Sequence, residues 1–100
     1  SSDTRAALLP DVPTMRELGL PRVNSDNWYA LVAPGESSLA ARQKVHDAAV
    51  ATLRSKEVAD AYAAVGGVAV GGTSAELAAY LRAESAKWAE VIKLANVKLE

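Results

Sequence analysis

Hydrophobic and polar positions divide this chain into a punctuated first third and a helical remainder. All four prolines, Pro10, Pro13, Pro21 and Pro34, fall in the first 37 residues. Within that stretch Thr14-Met15-Arg16-Glu17 has the form of a capping box, and Gly19 and Pro21 stop the predicted helix after barely one turn. Trp28-Tyr29-Ala30-Leu31-Val32-Ala33 is a mostly apolar run closed by Pro34-Gly35, which predicts a short buried strand. Ser37 or Ser38 then caps a helix running to about Ser55. Its apolar stripe is Leu39, Val45, Ala49 and Leu53, with Arg42 and Lys44 outward. A second helix opens at Lys56-Glu57, carries Val58, Ala61, Tyr62 and Val65, and ends at Gly66-Gly67. Val68-Ala69-Val70, between two glycine pairs, reads as a minimal strand. Thr73-Ser74-Ala75-Glu76 is a second capping box, and it starts the longest helix. There Leu77, Tyr80, Leu81, Trp88, Val91, Ile92 and Ala95 recur at amphipathic spacings. Lys98-Leu99-Glu100 is a frayed end or a last short strand.

The pattern therefore predicts a helix-dominated α/β chain of about three main helices with two or three short strands. A strand at residues 28–33 needs partners for its backbone groups, and only residues 68–70 and the two termini are available. This shortage is the first sign of a piece of a larger fold. Composition sharpens that reading. Half of the chain is hydrophobic, but 21 of those residues are alanines and there is no Phe, so the expected core is adequate rather than generous. A charged fraction of 23% and a net charge of −1 fit a soluble globular protein. They provide no basic patch for phosphates, which argues against nucleic acid as a partner. The absence of Cys excludes disulfides, thiolate metal sites and cysteine nucleophiles. No run approaches the roughly 20 apolar residues of a membrane helix. The chain opens at Ser1-Ser2-Asp3-Thr4-Arg5, without a basic-then-apolar leader or a Met, as a processed or trimmed protein does.

Catalytic signatures are scarce, so the chain is expected not to be an enzyme. His46 is the only histidine, and beside Asp47 on a helix the two side chains are expected to diverge. No serine stands in a Gly-x-Ser-x-Gly context. A metal site would need carboxylates such as Glu84 with Glu90, or Glu57 with Asp60, and these read instead as solvated helix faces. Neither a metal nor a cofactor is expected. The glycines at 66–67 and 71–72 match no nucleotide-binding pattern, and Gly66-Gly67 reads as a helix end. Asp26-Asn27-Trp28-Tyr29 is the one cluster that sets a carboxylate, an amide and aromatic rings together, with a core anchor at Trp28 and a turn at Asn27 as the competing reading.

Leu9-Pro10-Asp11-Val12-Pro13-Thr14 with Glu17 and Gly19-Leu20-Pro21 resembles a characteristic segment of the Bug, or TctC, family, the periplasmic solute receptors of tripartite tricarboxylate transporters. Trp28 to Pro34 looks like a second segment of that family. Gly71-Gly72-Thr73, then Glu84, Lys87-Trp88 and Val97-Lys98-Leu99-Glu100, looks like its ending. The ordered set covers nearly the whole chain. The resemblance implies the C-terminal third of a type II periplasmic binding-protein fold. Two α/β lobes there close on a small carboxylate that membrane transporter subunits then take up. Residues 1–25 would be the end of the second lobe and the crossing segment. Within them Ser1-Ser2 would end a strand and residues 14–20 form a short helix. Residues 26–100 would belong to the first lobe as short strand, helix pair, short strand and long C-terminal helix.

Two departures stand out: Ser38 replaces a second proline that usually follows Ala33-Pro34, and His46-Asp47 replaces Asn and a small residue. The family's main contacts to the ligand come from backbone amides upstream of Ser1. In this chain Asp26, Asn27 and Trp28 are the implied ligand-binding residues, with an amide donor from Asn27 and an apolar wall from Trp28. The competing function is a small helical interaction or dimerisation module, built on the face of residues 76–95 with Tyr80, Trp88 and Ile92. The isolated chain is also expected to homodimerise to satisfy its edges. A hydrolase using Asp26 with His46 is the third reading.

Overall fold

The structure, a computed structural model, describes residues 2–98. They fall into two compact units that divide between Val70 and Gly71. Three helices are present among the described residues: α1 (Leu39–Leu53), α2 (Lys56–Ala64) and α3 (Ser74–Leu94).

In the first unit the N-terminal segment is a series of turns. The Thr14 box forms as expected: Glu17 N–H donates to Thr14 Oγ1 at 3.2 Å, and Thr14 N–H donates to Glu17 Oε2 at 2.7 Å. Only one bond of α type follows, from Leu18 N–H to the Thr14 carbonyl, before Leu20 N–H returns to Met15. Gly19, at φ 79°, makes that closure without a Cβ clash. The predicted short helix is thus a single closed turn and not a helix, because its stop signal arrives before a second turn can start. Arg5 clamps the turn from outside. Its Nε and Nη2 form a fork on the Glu17 carboxylate, and its Nη1 donates to the Pro10 carbonyl at 2.9 Å. Arg16 pairs with Asp3 at 3.1 Å.

Ser38 caps α1 by accepting from Ala41 N–H. Only two residues, Arg54 and Ser55, separate α1 from α2, and the two helices touch. Ser55 works for both: its hydroxyl donates to the Thr52 carbonyl at 2.7 Å and accepts from Val58 N–H at 3.4 Å. α2 closes as α1 does not, with Gly66 at φ 74° and Gly67 N–H bonded back to Tyr62. A Cβ at Gly67 would lie 3.1 Å from Tyr62 Cδ1 and 3.3 Å from the Tyr62 carbonyl oxygen, so a side chain there requires Tyr62 to give by a few tenths of an ångström.

The second unit is built around α3. Thr73 and Glu76 form the full capping box. At the other end Asn96 takes φ 50°, and Val97 N–H returns to the Ile92 carbonyl at 3.1 Å. The half-buried positions, Leu77, Ala78, Leu81, Glu84 and Lys87, follow one stripe at three- and four-residue spacings.

Three sequence expectations need correction. Residues 28–33 and 68–70 form no strand, and none exists among the described residues. A strand is defined by its ladder, and the backbone groups of 29–33 and 68–70 find no hydrogen-bonding partner there. The possible strand at Lys98-Leu99-Glu100 lies outside the described residues at Leu99 and Glu100, as the one at Ser1-Ser2 does at Ser1. The expected core is also missing. Among the described residues no apolar side chain is buried, and Thr14 alone is. On α1 the stripe is half-buried at Ala49 and Leu53 but fully open at Leu39 and Val45. The chain exposes 8545 Å². Two separate globules of these lengths would expose about 6400 Å². The excess is apolar faces with no layer packed against them.

Candidate functional site

Asp26, Asn27 and Trp28 lie in the run without regular structure that joins the N-terminal turns to α1, and all three are exposed. Asn27 Nδ2 donates to the Tyr29 hydroxyl at 3.3 Å, so the amide is turned toward the residue two positions on. That spacing is the one that puts side chains of an extended chain on the same side. Tyr29 in turn lines an open apolar depression of about 390 Å³ together with Ala30, Leu31, Ala49, Thr52, Leu53 and Tyr62. The depression lies in the first unit, where residues 29–31 run beside the C-terminal half of α1 and the last turns of α2.

None of the three residues singled out by the sequence lines this depression. Asn27 reaches its border through Tyr29, while Asp26 and Trp28 are placed beside it along the chain. Tyr29 belongs to the cluster the sequence singled out, and the residue sequence reasoning missed is Tyr62, the other large ring of the lining. Its signal was weak because it stands 33 positions from Tyr29, and only the turn between α1 and α2 returns the chain. The lining contains no cation. It offers ring faces, methyl groups and hydroxyls; the Thr52 hydroxyl already donates to the Ala48 carbonyl at 2.8 Å and keeps acceptor capacity only. Such a surface can form an apolar wall for a small molecule but cannot neutralise a carboxylate.

Further polar clusters lie on α1 and α3. On α1, His46 Nδ1 stands 3.3 Å from Asp47 Oδ1, which corrects the expectation that these neighbours diverge. Their rotamers converge at the helix surface, and Asp47 also accepts from Gln43 at 2.8 Å. The bond from Gln43, and then that from His46, hold the Asp47 carboxyl below its usual range. On α3, Glu84 accepts from Trp88 Nε1 at 3.0 Å and pairs with Lys87, whose ammonium lies 5.4 Å from the Trp88 ring centre. This triad fixes the indole by a hydrogen bond at one edge and a cation at its face. Among the described residues no cluster of His, Asp and Glu is suited to hold a metal ion, and no helix is long and apolar enough to cross a membrane.

Comparison with known proteins adds to this geometry. Residues 1–97 match the family described as "Tripartite tricarboxylate transporter family receptor" (TctC). Over 103 residues the chain is 31% identical to the protein named BugT from Bordetella pertussis, covering 99% of this chain and 30% of that one. It is 34% identical over 99 residues to the UPF0065 protein in the TAR-I ttuE-ttuC′ intergenic region of Agrobacterium vitis, covering 96% of this chain and 29% of that one. The chain thus spans about 30% of the length of the curated relatives it matches. No solved structure matches it.

Proposed function

Because the chain belongs to the tripartite tricarboxylate transporter receptor family, we propose that it is the C-terminal part of a periplasmic solute-binding receptor. The whole receptor captures a small carboxylate and presents it to the membrane subunits of its transporter, without chemical change to the ligand. The observation that carries this reading is the family match across residues 1–97, in which the Pro10–Pro13 turn, the 28–34 run and the Thr73 cap follow in order. Residues 1–25 would end the second lobe and cross over, and residues 26–100 would complete the first.

Asp26, Asn27 and Trp28 are the residues of this chain proposed to meet the ligand. Asn27 supplies an amide and Trp28 an apolar side, while Asp26 would accept from a hydroxyl or ammonium group on the solute. The carboxylate itself needs donors the depression lacks, which supports main contacts elsewhere in the receptor.

A thermal melt of the receptor that contains this segment, against dicarboxylates, citrate, acidic amino acids and aromatic acids, tests the reading. A ligand at 100 times its Kd stabilises by about 2.7 kcal/mol. One class of acid should raise the melting temperature, and Asn27→Ala with Trp28→Ala should reduce the shift. A receptor that responds to none of these acids rejects carboxylate capture. A response unchanged in the double variant rejects the site.

A further inference from the structure

We infer that Arg5 is a positioning residue, a strap that joins two otherwise separate groups of turns across Pro10 to Pro13. The inference rests only on bonds within residues 3–20 and is independent of the solute the receptor takes. The first group, residues 6–12, is closed by Leu9 N–H on the Ala6 carbonyl and by Val12 N–H on the Leu9 carbonyl. The second group, residues 14–20, is closed by the Thr14 box and by the bonds that Leu18, Gly19 and Leu20 donate to the carbonyls of Thr14, Arg16 and Met15. Among the described residues no hydrogen bond runs directly from the first group to the second. The backbone is poorly equipped to make one there, because Pro10 and Pro13 have no N–H to donate.

Arg5 spans the gap. Its Nη1 donates to the Pro10 carbonyl at 2.9 Å, in the first group, while Nε and Nη2 grip the Glu17 carboxylate of the second at 2.9 and 2.8 Å. An isolated ion pair at a surface contributes little. A guanidinium, however, holds its donors in a fixed planar fork, so gripping the carboxylate also aims Nη1 at Pro10. A lysine offers a single nitrogen on a flexible stem, which sets neither direction nor spacing between the two acceptors. The Asp3–Arg16 pair reaches the second group alone and does not bridge the two.

Hydrogen exchange in the receptor that contains this segment, followed at single amides by NMR, tests the strap. Arg5→Lys should speed exchange at Leu9 and Val12 about tenfold or more, while Leu18 and Leu20 stay near the wild-type rate because Thr14 and Glu17 still close their box. Glu17→Gln keeps an acceptor for the Thr14 amide but loses the charged fork, and it should release Leu9 and Val12 as well. Asp3→Ala removes only the pair with Arg16 and should leave Leu9 and Val12 unchanged. Wild-type exchange at Leu9 and Val12 in Arg5→Lys overturns the inference, since a charge without the fork then suffices. Equal acceleration of both groups in Arg5→Lys also overturns it, as general loosening, and so does an Asp3→Ala variant that releases Leu9 and Val12 as much as Arg5→Lys does.

Discussion

Glu17 combines two tasks in one carboxylate. One oxygen closes the turn by accepting from Thr14 N–H, and the pair together receives the Arg5 fork. The Arg5 hydrogen bonds, and after them the Thr14 amide, pull its pKa from 4.5 down to about 2. A depressed carboxyl contributes its support above the ordinary value and loses it as pH falls toward the folded one, so the clamp weakens between about pH 4.5 and 2. A carbon-detected NMR titration should therefore give a midpoint near 2 for Glu17 in the wild type. In Arg5→Ala it should rise toward 4.5, because the largest cause is gone. A wild-type midpoint at the ordinary value would mean that Arg5 does not hold Glu17 in solution. The box itself could be read from four consecutive letters, Thr14 to Glu17. The partnership with Arg5 could not, since it spans twelve positions and depends on how the intervening prolines turn the chain.

At the level of elements, the ends of the helices were legible and their surroundings were not. Ser38, Thr73 and Gly66 act where their local chemistry places them, because a cap needs only the next three or four residues. Asn96 closing α3 was missed: the last three residues read as a frayed end or a last short strand, and Asn is a rarer choice than Gly for a left-handed position. The runs 28–33 and 68–70 were read as strands from their residue types. A strand, however, also needs a neighbour, and no pattern within a segment reveals whether one is supplied. The candidate site shared that difficulty. The cluster at residues 26–29 stood out in the sequence, whereas the depression beside it required Tyr62 to be folded back onto Tyr29. For α3, Thr73→Ala should cost about 1 kcal/mol of helix stability and Thr73→Ser should restore most of it. Hydrogen exchange of the first-turn amides reads the difference, and equal exchange in both variants would show that the cap contributes nothing.

For the whole molecule the telling quantity is surface. Two separate compact units of these lengths would bury about 58% of the unfolded area, whereas 8545 Å² left open corresponds to about 43%. The urea m-value follows the area exposed on unfolding, so the chain should show about three-quarters of the value for two compact units of these lengths. Equilibrium unfolding at concentrations too low for self-association measures this. A full-sized m-value would mean that the apolar faces of α1, α2 and α3 find cover within one chain. The sequence argument for a piece of a larger fold rested on too few strands for a sheet. In the structure the same shortage takes the form of helices with no layer beneath them.

Ser55 links these scales in time as well as in space. A single hydroxyl ends α1 through Thr52 and starts α2 through Val58, so neither helix can fray at that junction without loosening the other. The expected consequence is shared opening: the last-turn amides of α1 and the first-turn amides of α2 should exchange at one common rate in the wild type and at separate rates in Ser55→Ala.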